Sequence, residues 1–348
     1  MKTAVDYIIV GQGLAGSALA VQLLKRKKRI LVYDQPEKNV SSKIAAGLFN
    51  PITGKNWVKT WKADLLFPSM KKFFQDVERQ LNTRLYYEKT TYRPFQSLPN
   101  QNDWMGKWAT PGYSAYVANT HVTPIDEDII KNPFGGLEMH STGYIDINEF
   151  LHAVRELLIS KNALVVAHFD QDKIQHGARP VYEDVEAGKI IFCQGPSGGK
   201  SLWSYLPFMP VKGEILSINS SVPFDKIYNM GTFILPRHDG VTKMGSTYVH
   251  AYTDENPTES GKNQILSRAD RFFLPKFVVA GHEAGVRPAT LDRRPFIGMH
   301  REKQNIVIFN GLGAKGVTLA PYFSEVLIDF LESGRELEKE VNVERFLK

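Results

Sequence analysis

The feature that most constrains this chain is a glycine-rich turn near its N-terminus, between two short apolar runs. Residues 7–10 read Tyr-Ile-Ile-Val, Gly-Gln-Gly-Leu-Ala-Gly follows at 11–16, and a second apolar run at 30–33 ends at Asp34. The pattern predicts a strand, a tight turn, a helix over residues 18–24 and a second strand. This order predicts a Rossmann-like unit that binds a dinucleotide, with pyrophosphate at the helix N-terminus and ribose hydroxyls at Asp34.

The residues of this turn have separate predicted roles. Gly11 forms the tight turn, Gly13 leaves room for the pyrophosphate against the backbone, and Gly16 allows the helix to pack closely on the strand. Leu14 and Ala15, within the turn, are also predicted to contact the cofactor, and the free amide groups at the start of the helix that follows would face the phosphates. Because an acid ends the second strand, the pattern favours an unphosphorylated ribose, and therefore FAD or NAD rather than NADP.

The segment after the second strand favours FAD over NAD. Two serines precede a run of small residues, which suits a backbone that lies tightly along a ribityl chain and an isoalloxazine ring. A nicotinamide enzyme would normally continue here with further strand–helix repeats. A polar surface loop without a ligand is the alternative. The residues predicted to contact the flavin here are Ser41, Ser42, Ala45, Ala46, Gly47 and Leu48.

Composition and charge limit the remaining possibilities. The 348 residues are 43% hydrophobic and 23% charged, which is typical of a folded chain of about two domains and excludes wholesale disorder. One cysteine excludes an internal disulfide framework, and nine histidines without paired spacing predict no metal site. No apolar run approaches the ~20 residues of a membrane span. The net charge of +6 is diffuse and does not favour nucleic acid as a partner, so we expect a cytoplasmic protein with small-molecule ligands.

The middle of the chain predicts a second domain. Apolar residues at helical spacing predict a helix over 65–81, and residues 85–140, rich in Tyr, Trp, Pro and Asn, predict strands and loops of a mostly antiparallel domain. A basic and aromatic stretch precedes this region. Its rings are predicted to cover the first domain, with base stacking on a nucleic acid as the alternative. The stretch contains Lys55, Trp57, Lys59, Trp61 and Lys62.

Three segments together resemble the D-amino-acid oxidase family of FAD-dependent oxidoreductases, in particular its glycine oxidase and sarcosine oxidase branch. They are residues 46–51 (A-G-x-x-x-P), residues 209–216, and residues 285–298, which match the signature G-x-R-P-x-(T/S)-x-D-x-x-P-x-I-G. The resemblance is strong over residues 4–54 and 205–333. It implies an α/β fold (α+β overall) with a Rossmann-like FAD-binding domain and a mostly antiparallel substrate domain.

The resemblance also implies roles for single residues. Arg287 would pair its planar guanidinium with a substrate carboxylate, and Lys315 would be a cation beside the flavin. A strand that ends at Gln194 and Gly195 would lie under the cofactor. FAD would be non-covalent, because no cysteine follows Cys193 to form the bond that some sarcosine oxidases use. The turn that would face the N1–C2=O2 edge of the flavin contains Gly311, Gly313, Ala314, Lys315, Gly316 and Val317.

A predicted hairpin would form one wall of the substrate cavity. Residues 232–236 and 242–247 alternate around Asp239-Gly240, which is a strong hairpin signal. Phe233 stands where several members of the family have a tyrosine. The hydroxyl that could bind a substrate carboxylate is absent, and the identity of the substrate stays open.

The order of the segments implies a discontinuous FAD-binding domain, residues 1–84, 141–204 and 281–348, and a substrate domain of residues 85–140 and 205–280. The implied function is FAD-dependent oxidation of the C–N bond of an amine, amino acid or N-alkyl amino acid. A hydride would pass to flavin N5, and oxygen or a carrier would accept the electrons. Two alternatives stay open: a flavoprotein acting on a carboxymethylaminomethyl-type modified tRNA base, and a non-catalytic flavin-binding subunit of a larger complex.

Overall fold

The structure is a computed structural model that describes residues 3–35, 41–54, 56–108, 110 and 112–347. Its helices are α1 (Leu14–Lys25), α2 (Ser41–Ile44), α3 (Ala63–Leu81), α4 (Leu98–Trp108), α5 (Ile147–Ser160), α6 (Glu259–Ala269) and α7 (Gly316–Ser333). Its strands are β1 (Thr3–Val10), β2 (Ile30–Asp34), β3 (Leu48–Phe49), β4 (Ile52–Thr53), β5 (Val58–Lys59), β6 (Tyr86–Glu88), β7 (Thr91–Pro94), β8 (Val117–His121), β9 (Gly136–Met139), β10 (Gly143–Ile145), β11 (Leu164–Val166), β12 (Val181–Tyr182), β13 (Val185–Phe192), β14 (Val211–Ser220), β15 (Ile227–Asn229), β16 (Phe233–Pro236), β17 (Thr242–Gly245), β18 (Phe277–Arg287), β19 (Phe296–Met299) and β20 (Ile306–Asn310).

A mostly parallel sheet positions the glycine-rich turn. Its strands run in the order β11–β2–β1–β13–β20–β19, and the pairs from β11 to β20 are parallel. Val10 at the end of β1 lies in register with Tyr33 of β2 and Phe192 of β13, so the turns after these strands meet at one edge. Ligands of parallel sheets bind at this carboxyl edge. The predicted Rossmann-like unit is confirmed.

A larger, mostly antiparallel sheet faces the cavity from the other side. Its strand order is β18–β14–β17–β16–β15–β7–β9–β8, with one parallel pair between β15 and β7. These strands come from residues 91–139 and 211–287, whereas the predicted substrate domain comprises residues 85–140 and 205–280. The strand that carries Arg287, β18, begins at Phe277 and therefore crosses the predicted boundary at residue 281.

The core lies between the parallel sheet and the helices packed on it. Leu19 of α1, Phe74 of α3 and Phe323 of α7 are fully buried in one apolar cluster with Ile9 of β1. Complete burial of side chains of this size stabilises the fold by about 1.5–3 kcal/mol each. This packing holds the first turn of α1 rigidly against the sheet edge.

Two regions differ from the sequence predictions. The stretch 85–140 was expected to contain only strands and loops, yet it includes α4, whose Pro99 and Gly106 conceal the helix in the sequence. Burial of Trp104 stabilises that helix. The charged sequence of the tail, residues 332–348, predicts a peripheral segment, but Val341 and Val343 are buried, because the tail packs along β19.

Candidate active site

A cavity of about 410 Å³ lies where the glycine-rich turn, the segment after β2 and the larger sheet meet. The parallel sheet contributes the glycine-rich turn, and the larger sheet contributes Gly213 and Arg287. Eighteen predicted site residues line it: Gly11, Gly13, Leu14, Ala15, Asp34, Ser41, Ser42, Ala45, Ala46, Gly47, Leu48, Gln194, Gly195, Arg287, Gly313, Ala314, Gly316 and Val317. Gly16, Gly311 and Lys315 were predicted at the site and do not line the cavity.

The three glycines of the turn meet different spatial requirements. Gly11 has a φ of +100°, and a Cβ there would come within 2.8 Å of the carbonyl oxygen of Cys193. A Cβ at Gly16 would overlap the carbonyl oxygen of Gly11, so close contact of helix and strand requires glycine. A Cβ at Gly13 would meet only Ser42 Oγ, at 3.4 Å. The space in front of Gly13 is therefore open to a ligand.

The start of α1 is suited to an anion. Gly13 is its N-cap and offers no side chain to the first turn, which contains no acidic residue. Ser42 Oγ accepts a hydrogen bond from the Leu14 amide at 3.2 Å. Because a helix N-terminus combines free amide groups with the positive end of the helix dipole, the start of α1 fits the pyrophosphate of a dinucleotide.

One end of the cavity combines an acid with aromatic rings. Asp34 Oδ1 accepts from the Gln12 amide at 2.9 Å, and Oδ2 accepts from Arg155 at 3.1 Å. Tyr33 and Phe169 line the cavity beside Asp34. A purine could stack there while its ribose bonds the acid. Sequence reasoning missed Phe169, because it follows the short strand β11 with no motif around it.

The segment from α2 to β3 connects the two halves of the cavity. Gly47 has a φ of +73°, and a Cβ there would overlap the carbonyl oxygen of Ile145. Gly285 of β18 lies so close that a Cβ would come 3.2 Å from Ile44. Ser41 begins the short helix α2, which precedes this close approach. The segment therefore packs closely between the glycine-rich turn and β18, the strand that ends in Arg287.

Arg287 presents an unpaired cation to the cavity. Its Nη1 donates to the carbonyl oxygen of Thr247 at 3.2 Å, its Nη2 donates to Ser246 Oγ at 2.9 Å, and its guanidinium lies 5.3 Å from the ring centroid of Tyr248. Among the described residues, no carboxylate lies within ion-pair distance of it. Burial lowers the pKa of Arg287 from its usual value. Arginine side chains are not deprotonated in proteins, so the guanidinium keeps its charge. A partly buried charge without a counter-ion is costly, so the site favours an anionic ligand.

The guanidinium of Arg287 packs against the backbone of Gly213. A Cβ at this position of β14 would overlap both terminal nitrogens and the central carbon of Arg287. Val211 of β14 lies in register with Arg287 of β18, which places Gly213 two residues along the same face of the sheet. The absence of a side chain at residue 213 therefore lets Arg287 lie flat against the sheet. Sequence reasoning missed this role.

Two other basic residues have polar partners outside the cavity lining. Lys315, predicted to be catalytic, donates from Nζ to Thr60 Oγ1 at 3.3 Å, and its pKa is lowered by burial and by nearby arginines. Arg237 pairs with Asp146 at 2.6 Å and with Asp239 at 3.0 Å. Among the arginines and lysines that the structure describes, Arg287 is therefore the one that lines the cavity.

The basic and aromatic stretch before α3 is packed rather than open. Trp57 is 2% exposed, and Trp61 stacks on a phenylalanine of α7 with ring centroids 5.7 Å apart. Lys59 and Lys62 each pair with a nearby carboxylate. Lys55 lies outside the described residues. These contacts favour the interpretation that the rings cover the core.

Other chemistry has little support in the described parts of the chain. Cys193 is buried, and burial raises the pKa of its thiol, which opposes a thiolate nucleophile. Nowhere in the described ranges do three His, Cys, Asp or Glu residues group as metal ligands would. None of the helices described is both long and apolar enough to cross a membrane.

Comparisons with known proteins agree with this geometry. A family model described as FAD dependent oxidoreductase matches residues 6–330. Glycine oxidase from Bacillus subtilis (strain 168) is 30% identical over 366 residues, which cover 98% of this chain and 95% of that protein. The bifunctional protein ThiO/ThiG of Synechocystis sp. is 25% identical over 355 residues, and the match covers 95% of this chain. This chain spans about half (52%) of the length of that second relative.

A solved structure shows the same fold. Glycine oxidase from Bacillus cereus ATCC 14579 superposes with a TM-score of 0.77 at 19% identity, over 95% of this chain and 96% of that one. At this level of identity the likeness establishes the arrangement of the sheets, and it leaves the choice of substrate to the side chains in the cavity.

Proposed function

The chain belongs to the family of FAD dependent oxidoreductases, and on that premise we propose that it oxidises the C–N bond of a small amino acid or N-alkyl amino acid. FAD, when bound, supplies the acceptor for the hydride that leaves the carbon next to nitrogen. Oxygen or a carrier would then accept the electrons. The substrates named for the relatives, glycine among them, suggest a small molecule with one carboxylate.

The observation that carries this proposal is the unpaired guanidinium of Arg287 in the cavity wall. Two of its donors are fixed by Thr247 and Ser246, which leaves the other N–H groups of the planar fork for a ligand. A carboxylate matches that fork in a bidentate, directional way. A substrate held there has its α-carbon at a defined position relative to the rest of the cavity.

The residues of this chain would act by positioning and electrostatics. Arg287 would hold the carboxylate and orient the C–H bond, which can supply several kcal/mol of the rate enhancement without a protein acid or base. Phe233 lines the cavity and gives an apolar wall that excludes water near the reacting carbon. The N-terminal end of α7 lines the cavity through Gly316 and Val317 and directs its positive dipole end there.

We propose further that FAD is bound non-covalently, with its pyrophosphate at Gly13 and its adenosine ribose at Asp34. The open space over Gly13 and the aromatic end of the cavity support this placement. The parallel-sheet segments would carry the cofactor, and the larger sheet would carry the substrate. The limits of the two domains, including residue 281, stay part of the proposal.

Substitution of Arg287 tests the proposal. Arg287→Ala should leave FAD content and the visible spectrum near wild type, but weaken small carboxylates that perturb that spectrum. Loss of one partner of a desolvated charge pair costs ~2–5 kcal/mol, roughly 30- to several-thousand-fold in affinity. Arg287→Lys should recover part of the loss, because an ammonium keeps the charge without the fork. Equal carboxylate affinity in wild type and Arg287→Ala would place the anchor elsewhere.

A further inference from the structure

A polar network connects Asp34 to helix α5. Nη1 of Arg155 donates to Asp34 Oδ2 at 3.1 Å and to Gln12 Oε1 at 3.0 Å. The backbone amide of Gln12 donates to Asp34 Oδ1 at 2.9 Å. Both carboxylate oxygens are therefore held, one by the glycine-rich turn and one by an arginine far away in the sequence.

We propose that Arg155 is a positioning residue for the ribose of the cofactor's adenosine half, acting through Asp34. The inference rests on the proposed FAD site. Asp34 lines the cavity, whereas Arg155 does not, so Arg155 would influence the ribose without touching it. A carboxylate has about four lone-pair sites, and two of them are used here, which leaves the others for ribose hydroxyls.

The two-point hold preorganises the acid. A carboxylate bonded at one oxygen can rotate, and binding must then restrict that rotation at an entropic cost. With Oδ1 bonded to the Gln12 amide and Oδ2 to Arg155, Asp34 keeps one orientation. The positive charge of Arg155 also offsets the negative charge of Asp34, which otherwise would oppose the approach of a pyrophosphate.

The hydrogen bonds of Gln12 require a donor at the position of Arg155. Gln12 is buried, and its Nε2 donates to the carbonyl oxygen of Leu151 at 2.8 Å. Leu151 and Arg155 are four residues apart on α5 and therefore lie on one face of that helix. Since the Nε2 group of Gln12 is used by Leu151, its Oε1 faces a donor, and Arg155 supplies it.

This arrangement differs from an ordinary surface ion pair. The side chains of Arg155 and Asp34 are 25% and 18% exposed, and the pair is continued by a buried amide. Exposed pairs contribute little to stability, because solvent and salt screen them. The network here connects directly to an acid in the cavity wall, so its effect should be on the ligand.

The test measures how strongly flavin-stripped protein prefers ADP over an ADP analogue that lacks both ribose hydroxyls. Calorimetric titration of wild type should show tighter binding of ADP. Arg155→Met keeps an unbranched stem and removes the guanidinium with its charge and donors, and it should reduce the preference by about threefold to tenfold. Arg155→Lys should restore part of it. In an Asp34→Asn background, Arg155→Met should change the preference no further.

Each other outcome overturns the inference. Equal weakening of ADP and its analogue would indicate a structural role only, and additive losses in the double variant would show that Arg155 does not act through Asp34. Arg79→Met, which removes a surface partner of Asp76, is the matched control and should leave the preference unchanged. Wild type that binds neither FAD nor ADP would contradict the cofactor site itself, whereas normal FAD binding with an unaltered preference in Arg155→Met contradicts only the positioning role.

Discussion

Gly213→Ala should displace the guanidinium of Arg287 while leaving the arginine in the chain. The new Cβ would overlap that guanidinium, whereas an ordinary van der Waals contact needs at least 3.4 Å. The far end of a flexible side chain moves more easily than the backbone, so the protein should fold and the guanidinium should retreat by roughly 1 Å. Misplacement of a positioning group by that distance costs up to about 100-fold.

The assay is a titration of the flavin absorbance of holoprotein with acetate, in wild type and in Gly213→Ala. We expect acetate to bind about 10- to 100-fold more weakly to the variant, which corresponds to ~1.4–2.7 kcal/mol, with little change in FAD content. Gly281→Ala is the matched control, because it lies on the neighbouring strand and its Cβ would meet Ser217 at an ordinary 3.5 Å. Acetate affinity in Gly213→Ala equal to that of the control would refute the assigned place of Arg287.

Three further predictions concern the cofactor and the fold. Acid precipitation should release FAD into the supernatant, and flavin that stays with the denatured protein would show a covalent bond. With flavin removed from both proteins, Gly13→Ala should have the melting temperature of wild type, but its affinity for FAD should be at least about tenfold lower. Gly16→Ala should lower the melting temperature, because its Cβ overlaps the backbone and overpacking costs about 1–3 kcal/mol. The reverse pattern would contradict the assigned roles. Burial lowers the pKa of His300 below its usual 6.5, and its Nδ1 accepts a hydrogen bond from the Glu302 amide, so the unfolded chain binds the proton more readily than the folded one. The free energy of unfolding should therefore fall as the pH drops below 6.5. Denaturant titrations should show a smaller fall in His300→Gln than in wild type, and an equal fall would exclude His300 as a cause.

The parts of the site that the sequence predicted are those with local requirements. Gly11 has a positive φ, and a Cβ at Gly16 would overlap the carbonyl oxygen of Gly11, so both requirements arise within the turn and repeat at fixed spacing wherever this turn occurs. Arg287 lies in a dense motif, which made its assignment possible from the resemblance. The family and the Rossmann-like unit are confirmed on this basis.

The parts that the sequence did not predict depend on packing between distant segments. Arg155 reaches Asp34 across 121 residues, because α5 docks beside the turn, and no periodicity in either segment shows that contact. Lys315 occupies a motif position, yet its side chain extends toward Thr60, since the direction of a side chain in a turn is decided by the surrounding elements. The importance of Gly213 likewise becomes visible only when β18 lies beside β14.

The central claim is that this cavity oxidises a carboxylate-bearing amine, and anaerobic mixing tests it most directly. Holoprotein mixed without oxygen with a panel of small amino acids and N-alkyl amino acids should lose its visible flavin absorbance with at least one of them. Arg287→Ala, at equal FAD content, should lose it at least about 30-fold more slowly at low substrate concentration. Flavin that stays oxidised with every compound in the panel, while small carboxylates still bind, would contradict the claim and identify a flavin-binding protein that does not oxidise amines.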